Sequence, residues 1–149
     1  MTPEAEVMRF IRNFFMFDRG IYLTRNNVGA VKRGNRYVHF GAPGESDWRG
    51  VVDKTFCPFC GKQTGRGVAL FIEAKAAKGR LSAPQKEFLG AMRRLGAVAV
   101  VAQPVPAEDD PTGYRALRRT LERIRDRACA ECQAKKDETQ KGRAENGEK

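Results

Sequence analysis

The chain has 149 residues and a mass of 16.7 kDa, enough for one domain around one core. Its 28 Lys and Arg exceed its 18 Asp and Glu for a formal net charge of +10, and 41% hydrophobic residues exclude a wholly disordered chain. No apolar run approaches the roughly 20 residues that span a bilayer, the start MTPEAEVMRF is acidic where a secretion signal is basic, and a single histidine, His39, excludes catalytic designs that need several.

Residues 133–149 hold five basic and four acidic residues, so a net +9 lies in residues 1–132, the expected single domain. A basic body favours a polyanionic partner, and the lack of a long apolar run leads to the expectation of no membrane. The polar 133–149 tail is expected to be disordered. Residues 3–17 predict a first helix, with Thr2 as N-cap, Pro3 at the first position, Glu4 and Glu6 at the positive end of the dipole, and Val7, Ile11, Phe14 and Phe15 on one stripe. Gly20 ends it. Residues 21–24 and 37–40 are β-prone, with turns at Asn26-Asn27 and Gly34-Asn35.

The loop GAPGESD (41–47) leads into a strand at 48–52, and residues 55–67, TFCPFCGKQTGRG, form a cysteine-bearing insert. VALFIEAK (68–75) predicts a central strand, because its first five residues are almost continuously apolar. Residues 82–95 predict a helix capped by Ser82 and ended by Gly96, and 97–102 another buried strand. A Pro-rich linker precedes a last helix over about 112–132, with Tyr114, Leu117, Leu121, Ile124 and Ala128 on one stripe and arginines mostly off it. The order predicts a mixed α/β sandwich with few elements.

Glu73 and Lys75 are two apart on the strand, so they leave the same face while Ala74 points away. An apolar strand ending in such a pair places the charges at the sheet's edge. A carboxylate there can bind Mg²⁺, with Asp47 supplying a second, and the Lys75 ammonium can orient a water or offset charge on a phosphate. Glu-x-Lys alone also suits a plain surface ion pair.

Asp47 followed by Glu73-Ala74-Lys75 resembles the D…(D/E)xK core of the PD-(D/E)xK nuclease superfamily. With the early helical Glu, RNN–G at 25–29, FGAPGESDWRG at 40–50 and IEAKAAKGRLSAPQKEFL at 72–89, residues 4–103 resemble the VRR-NUC family of phage, bacterial and eukaryotic DNA-repair nucleases. The resemblance implies a restriction-endonuclease-like core, a mixed sheet flanked by helices, and a Mg²⁺- or Mn²⁺-dependent phosphodiesterase. Asp47 and Glu73 would hold the ion, with the Ala74 carbonyl as a further ligand. Lys75 would be the catalytic lysine, and Glu4, with Glu6 as competitor, the first-helix acid. Gln85 would stand near the reacting phosphate, although Ser82-x-x-Gln85 equally fits a capping box. Lys78 and Arg80 are expected phosphate contacts or a solvated turn. The resemblance departs from the family in the long stretch between Asp47 and Glu73, and at Trp48 and Arg49, where small or aliphatic residues are more usual. It implies a bacterial or phage-infected cytoplasm.

Cys57-Pro58-Phe59-Cys60-Gly61 reads as a zinc knuckle, and Cys129-Ala130-Glu131-Cys132 supplies a second C-x-x-C. Together they offer the four thiolates of a closed structural Zn²⁺ site, stapling the insert to the last helix. Reduced bystander thiols, a redox pair or disulfides are the other readings, and the intracellular setting argues against the last.

Arg118 and Arg119 on the last helix, with Arg93 and Arg94 on the preceding one, are expected to track a nucleic-acid backbone or else to form a solvated face. Nothing reads as a base-specific element. Gly20-Ile21-Tyr22 spells GIY without a following YIG, and a ββα-metal nuclease needs histidines that the chain lacks. The expectation is a Mg²⁺-dependent endonuclease acting on branched DNA such as Holliday junctions, as a homodimer because paired cuts need two sites. A zinc-stapled, non-catalytic DNA-binding module, or a nuclease for duplex, flap or single-stranded DNA, are the alternatives.

Overall fold

Thr2 caps the first helix, α1 (Pro3–Phe15), by accepting the Ala5 N–H through Oγ1 at 3.3 Å. Four-residue spacing puts Val7, Ile11 and Phe15 on its buried face. The helix stops at Phe15, two residues before the expected end, and Phe17 stands 88% exposed. The computed structural model describes residues 2–27, 29–57, 59–63, 65–125 and Cys132. After α1 come β1 (Ile21–Arg25), β2 (Gly29–Arg33), β3 (Arg36–Phe40), β4 (Trp48–Asp53), β5 (Gly67–Ala74), α2 (Ala83–Arg94), β6 (Val98–Ala102) and α3 (Tyr114–Arg125).

Four strands form one mixed sheet in the order β1-β4-β5-β6, antiparallel except for the parallel β5/β6 pair. β5 is central, as its apolar run predicts. Its alternation splits the molecule into layers. Leu70, Ile72 and Ala74 face α1 and α3 in a core with Val7, Ile11, Phe15, Trp48, Val52, Leu117, Leu121 and Ile124. Phe71 faces the other way and meets Phe88 of α2 edge-on, with ring centroids 5.2 Å apart. Each fully buried Leu or Ile contributes on the order of 1.5–3 kcal/mol. Trp48 is buried in the first layer, its Nε1 donating to Met8 Sδ at 3.1 Å.

β2 and β3 pair only with each other, as a separate two-stranded sheet inserted between β1 and β4. The spacing had suggested only the second of these strands. β2 holds one large apolar residue, Val31, so it shows no period-2 pattern; it is a strand because the Gly34-Asn35 turn folds it against β3. Gly34, with φ 60° and no positive φ at Asn35, suits a type II′ hairpin turn.

The chain direction sorts the molecule into two ends. β4 starts and β5 finishes at one end, while the cysteine-bearing β4–β5 connection lies at the other. α2 joins the parallel strands β5 and β6, so it returns along the sheet, with Ser82 near Glu73 and Arg93 at the far end, where its Nε donates to Ala99 O at 2.7 Å. Gly96 takes the left-handed conformation expected after the helix, φ 87°. The last helix runs only over Tyr114–Arg125 among the described residues; 126–131 and the 133–149 tail lie outside them. Among the described residues no helix is long and apolar enough to cross a membrane.

Candidate functional site

The β4/β5 register pairs Trp48 with Ile72. One step further along the same antiparallel register, Asp47 stands opposite Glu73. Two carboxylates therefore share one face at one end of the two central strands, an arrangement that like charges make costly without a cation. Asp47 is fixed there by its own strand entry. Its Oδ2 accepts the Ala74 N–H at 2.8 Å, its carbonyl accepts Asn26 N–H at 2.7 Å, and buried Ser46 before it donates Oγ to Trp48 O at 3.0 Å.

Glu73 is only 1% exposed and Lys75 8%, so this is no surface ion pair. Lys75 Nζ stands 2.6 Å from Glu73 Oε1, and Gln85 Nε2 donates to that same oxygen. β5 ends at Ala74, but Lys75 N–H continues the ladder to Ala102 O at 3.0 Å. Burial raises the Glu73 carboxyl above its ordinary value; the Lys75 hydrogen bond opposes this and the Asp47 charge adds to it. At Lys75 burial works against the ammonium, yet the Glu73 hydrogen bond and the charges of Glu73, Glu4 and Asp47 outweigh it and raise the pKa.

Gln85 closes the expected capping box and also reaches the acidic cluster. Its Oε1 accepts Ser82 N–H at 2.9 Å while Ser82 Oγ accepts Gln85 N–H at 3.3 Å, a closed capping box, and its Nε2 reaches Glu73. These opposite demands settle the orientation of the amide. Glu4 is exposed at the start of α1, and its charge is felt at Lys75; Glu6 instead acts, after burial, in raising the Tyr114 hydroxyl. Of the two candidate acids, Glu4 is the one whose charge is felt at Lys75.

Sequence reasoning missed Gln103. Placed just after β6, its Nε2 donates to the carbonyls of Ala76 at 2.7 Å, Ala77 at 3.3 Å and Gly79 at 2.8 Å, pinning the loop that follows Lys75. The signal existed: an apolar strand that ends in a polar side chain, as β5 also does. Gly44 was also missed. It has φ 84°, and a Cβ there would lie 2.5 Å from the Pro84 carbonyl carbon and oxygen, so the 41–47 loop lies directly on the first turn of α2.

The other candidate ligands fall in different places. Lys78 and Arg80 are exposed on the loop between β5 and α2, beside the cluster. Arg93 and Arg94 sit at the opposite end of α2 from Gln85. Arg118 lies over the Phe10 ring at 5.9 Å, so part of its work is covering the α1–α3 seam, while Arg119 is exposed.

The cysteines gather at the other end of the sheet. Cys57 N–H donates to Lys62 O and Gly61 N–H to Cys57 O, both at 2.8 Å, with Gly61 at φ 72°. This tight turn brings Cys57 and Cys60 toward Cys132, and the three sulfurs lie within 4.8 Å of one another. Tetrahedral zinc with bonds of about 2.3 Å needs thiolates roughly 3.8 Å apart. The cluster can therefore hold a structural metal ion such as zinc. Cys129, the expected fourth ligand, lies outside the described residues.

Searches against protein-family models, curated proteins and solved structures find no match to this chain.

Proposed function

We propose that the chain is a Mg²⁺- or Mn²⁺-dependent endodeoxyribonuclease with a PD-(D/E)xK-type core of the VRR-NUC kind. One observation carries the reading: Asp47, Glu73, Lys75 and Gln85, from β4's entry, β5, β5's end and α2, meet at one end of the central strands with two of them buried. A surface charge pair needs no such convergence, and buried charge persists only with partners.

The donor set suits a hard divalent cation, which Asp47 and Glu73 would hold with the Ala74 carbonyl as a further oxygen. When bound, such an ion supplies Lewis-acid polarisation of a phosphate. Lys75 would orient or activate a water, or serve as a cation and hydrogen-bond donor toward charge developing on the phosphate oxygens. Gln85 and Gln103 hold Glu73 and the 76–79 loop in place. Glu4 would complete the metal shell or orient a ligand. Lys78 and Arg80 meet neighbouring phosphates. A structural zinc on Cys57, Cys60 and Cys132, with Cys129 as the proposed fourth ligand, would tie the insert to the chain that follows α3.

The substrate proposed is branched DNA such as a four-way junction, cut by a homodimer that supplies two sites. The test compares wild type with Lys75→Ala on four-way junction, flap, duplex and single-stranded DNA in Mg²⁺. Cleavage by wild type, reduced about 100- to 1,000-fold in the variant with binding retained, supports the reading. Salt-sensitive binding without cleavage by either protein replaces it with a DNA-binding module.

A further inference from the structure

Among the described residues, the β2–β3 hairpin contributes none to the core. From Ala30 to Val38 every residue is exposed, and Val31, Tyr37 and Val38 stand 50%, 64% and 49% open. A two-stranded ribbon is marginal in water by itself, so an arm exposed on both faces is suited to a partner. Its chemistry names the partner's charge. Between Arg25 and Gly44 the chain carries Arg25, Lys32, Arg33 and Arg36 and no Asp or Glu. The register sets Arg33 directly opposite Arg36, and Lys32 opposite Tyr37. Two guanidinium groups facing each other across strands repel, a cost that an anion between them removes.

The arm is also rooted at the acidic cluster. It leaves the sheet at Asn26, whose N–H is bonded to Asp47 O, and its return runs through the 41–47 loop into Asp47. Asn26 Nδ2 donates to Glu45 Oε2 at 2.9 Å, clasping the two legs together. Five residues per strand extend about 17 Å, half of the roughly 34 Å turn of a duplex.

We propose that this hairpin is a phosphate-binding arm that grips the DNA backbone beside the site of cleavage. The location of the grip relative to a cut rests on the nuclease reading; the binding itself does not. Phosphates are the partner because the charged groups of β2, β3 and their turn are all cationic, the tip is a bare Gly-Asn turn, and a ribbon of this width can follow a groove.

The experiment is a salt titration of duplex and four-way-junction binding, without divalent metal, for the full-length wild type and the triple variant Lys32→Ala, Arg33→Ala, Arg36→Ala. Affinity is expected to fall at least tenfold, and the slope of log K against log salt to shrink by about 2–3. A second variant, Arg33→Lys with Arg36→Lys, is expected to keep the wild-type slope. Unchanged melting temperature and unchanged Mn²⁺ binding in the triple variant show that neither the fold nor the acidic cluster was disturbed. Wild-type affinity and slope in the triple variant overturn the arm, whether or not the protein cuts DNA. A wild type that binds through the arm but cleaves nothing overturns the nuclease reading and leaves the arm standing.

Discussion

Gln85 touches Glu73 with one end of its amide and its own helix cap with the other. The start of α2 and the buried carboxylate of β5 are thereby one mechanical unit. Two substitutions separate the roles. Gln85→Glu keeps a capping box, since Glu serves as well as Gln at that position, but sets a second carboxylate against Glu73. Gln85→Ala removes both contacts. We expect Gln85→Glu to bind Mn²⁺ with altered affinity while α2's first turn retains its amide-exchange protection. Gln85→Ala should lose about 0.5–2 kcal/mol of stability and that protection too. Calorimetric metal titration and hydrogen exchange check the two readouts.

The 41–47 loop should be intolerant of a side chain at Gly44. Its φ of 84° disfavours any L-residue, and the added Cβ would collide with the Pro84 backbone. Gly44→Ala is expected to cost about 1–3 kcal/mol and to shift Asp47 away from Glu73. Denaturant unfolding measures the first effect. Cleavage per bound substrate measures the second, and a variant with wild-type stability and turnover would remove the loop from the account.

Zinc should be a component of the native protein. About one equivalent is expected by elemental analysis after purification in zinc-containing medium. Its removal by a zinc-selective chelator, with magnesium replenished, should lower the melting temperature. Cys57→Ser should lose the metal, because Cys57 is buried and anchors the knuckle turn. Cys129→Ser should weaken zinc retention by the fourth thiolate's share. Protein that is metal-free yet melts unchanged would show the cysteines to be bystanders.

Asp110 makes α3 pH-sensitive at its start. Its Oδ1 accepts from Thr112 Oγ1 at 2.7 Å and its Oδ2 accepts Arg115 N–H at 2.8 Å. The Thr112 hydrogen bond, then that of the Arg115 backbone, hold its carboxyl below the ordinary range. A depressed folded value means stabilisation present above the unfolded pKa of about 3.9 and lost as pH falls through the native value. Asp110→Asn should therefore melt lower than wild type at pH 7, and the difference should close in strong acid. Melting temperatures across that range decide it.

Much of this molecule is legible in local sequence because its signals act over a few residues. Thr2 and Ser82 cap, Gly96 stops a helix, four-residue spacing buries Val7, Ile11 and Phe15, and Glu-x-Lys puts two charges on one strand face. Those features depend on backbone geometry between near neighbours, so composition and spacing suffice. Tertiary structure decided the rest. That Asp47 faces Glu73 follows from the β4/β5 register, and that Gln103 pins the 76–79 loop follows from the parallel pairing of β5 and β6. That Arg93 and Arg94 lie far from Gln85 follows from the return direction of α2. β2 became a strand only by pairing with β3. Each of these relations joins residues through hydrogen bonding or packing between segments, and no single segment's periodicity encodes its partner's alignment.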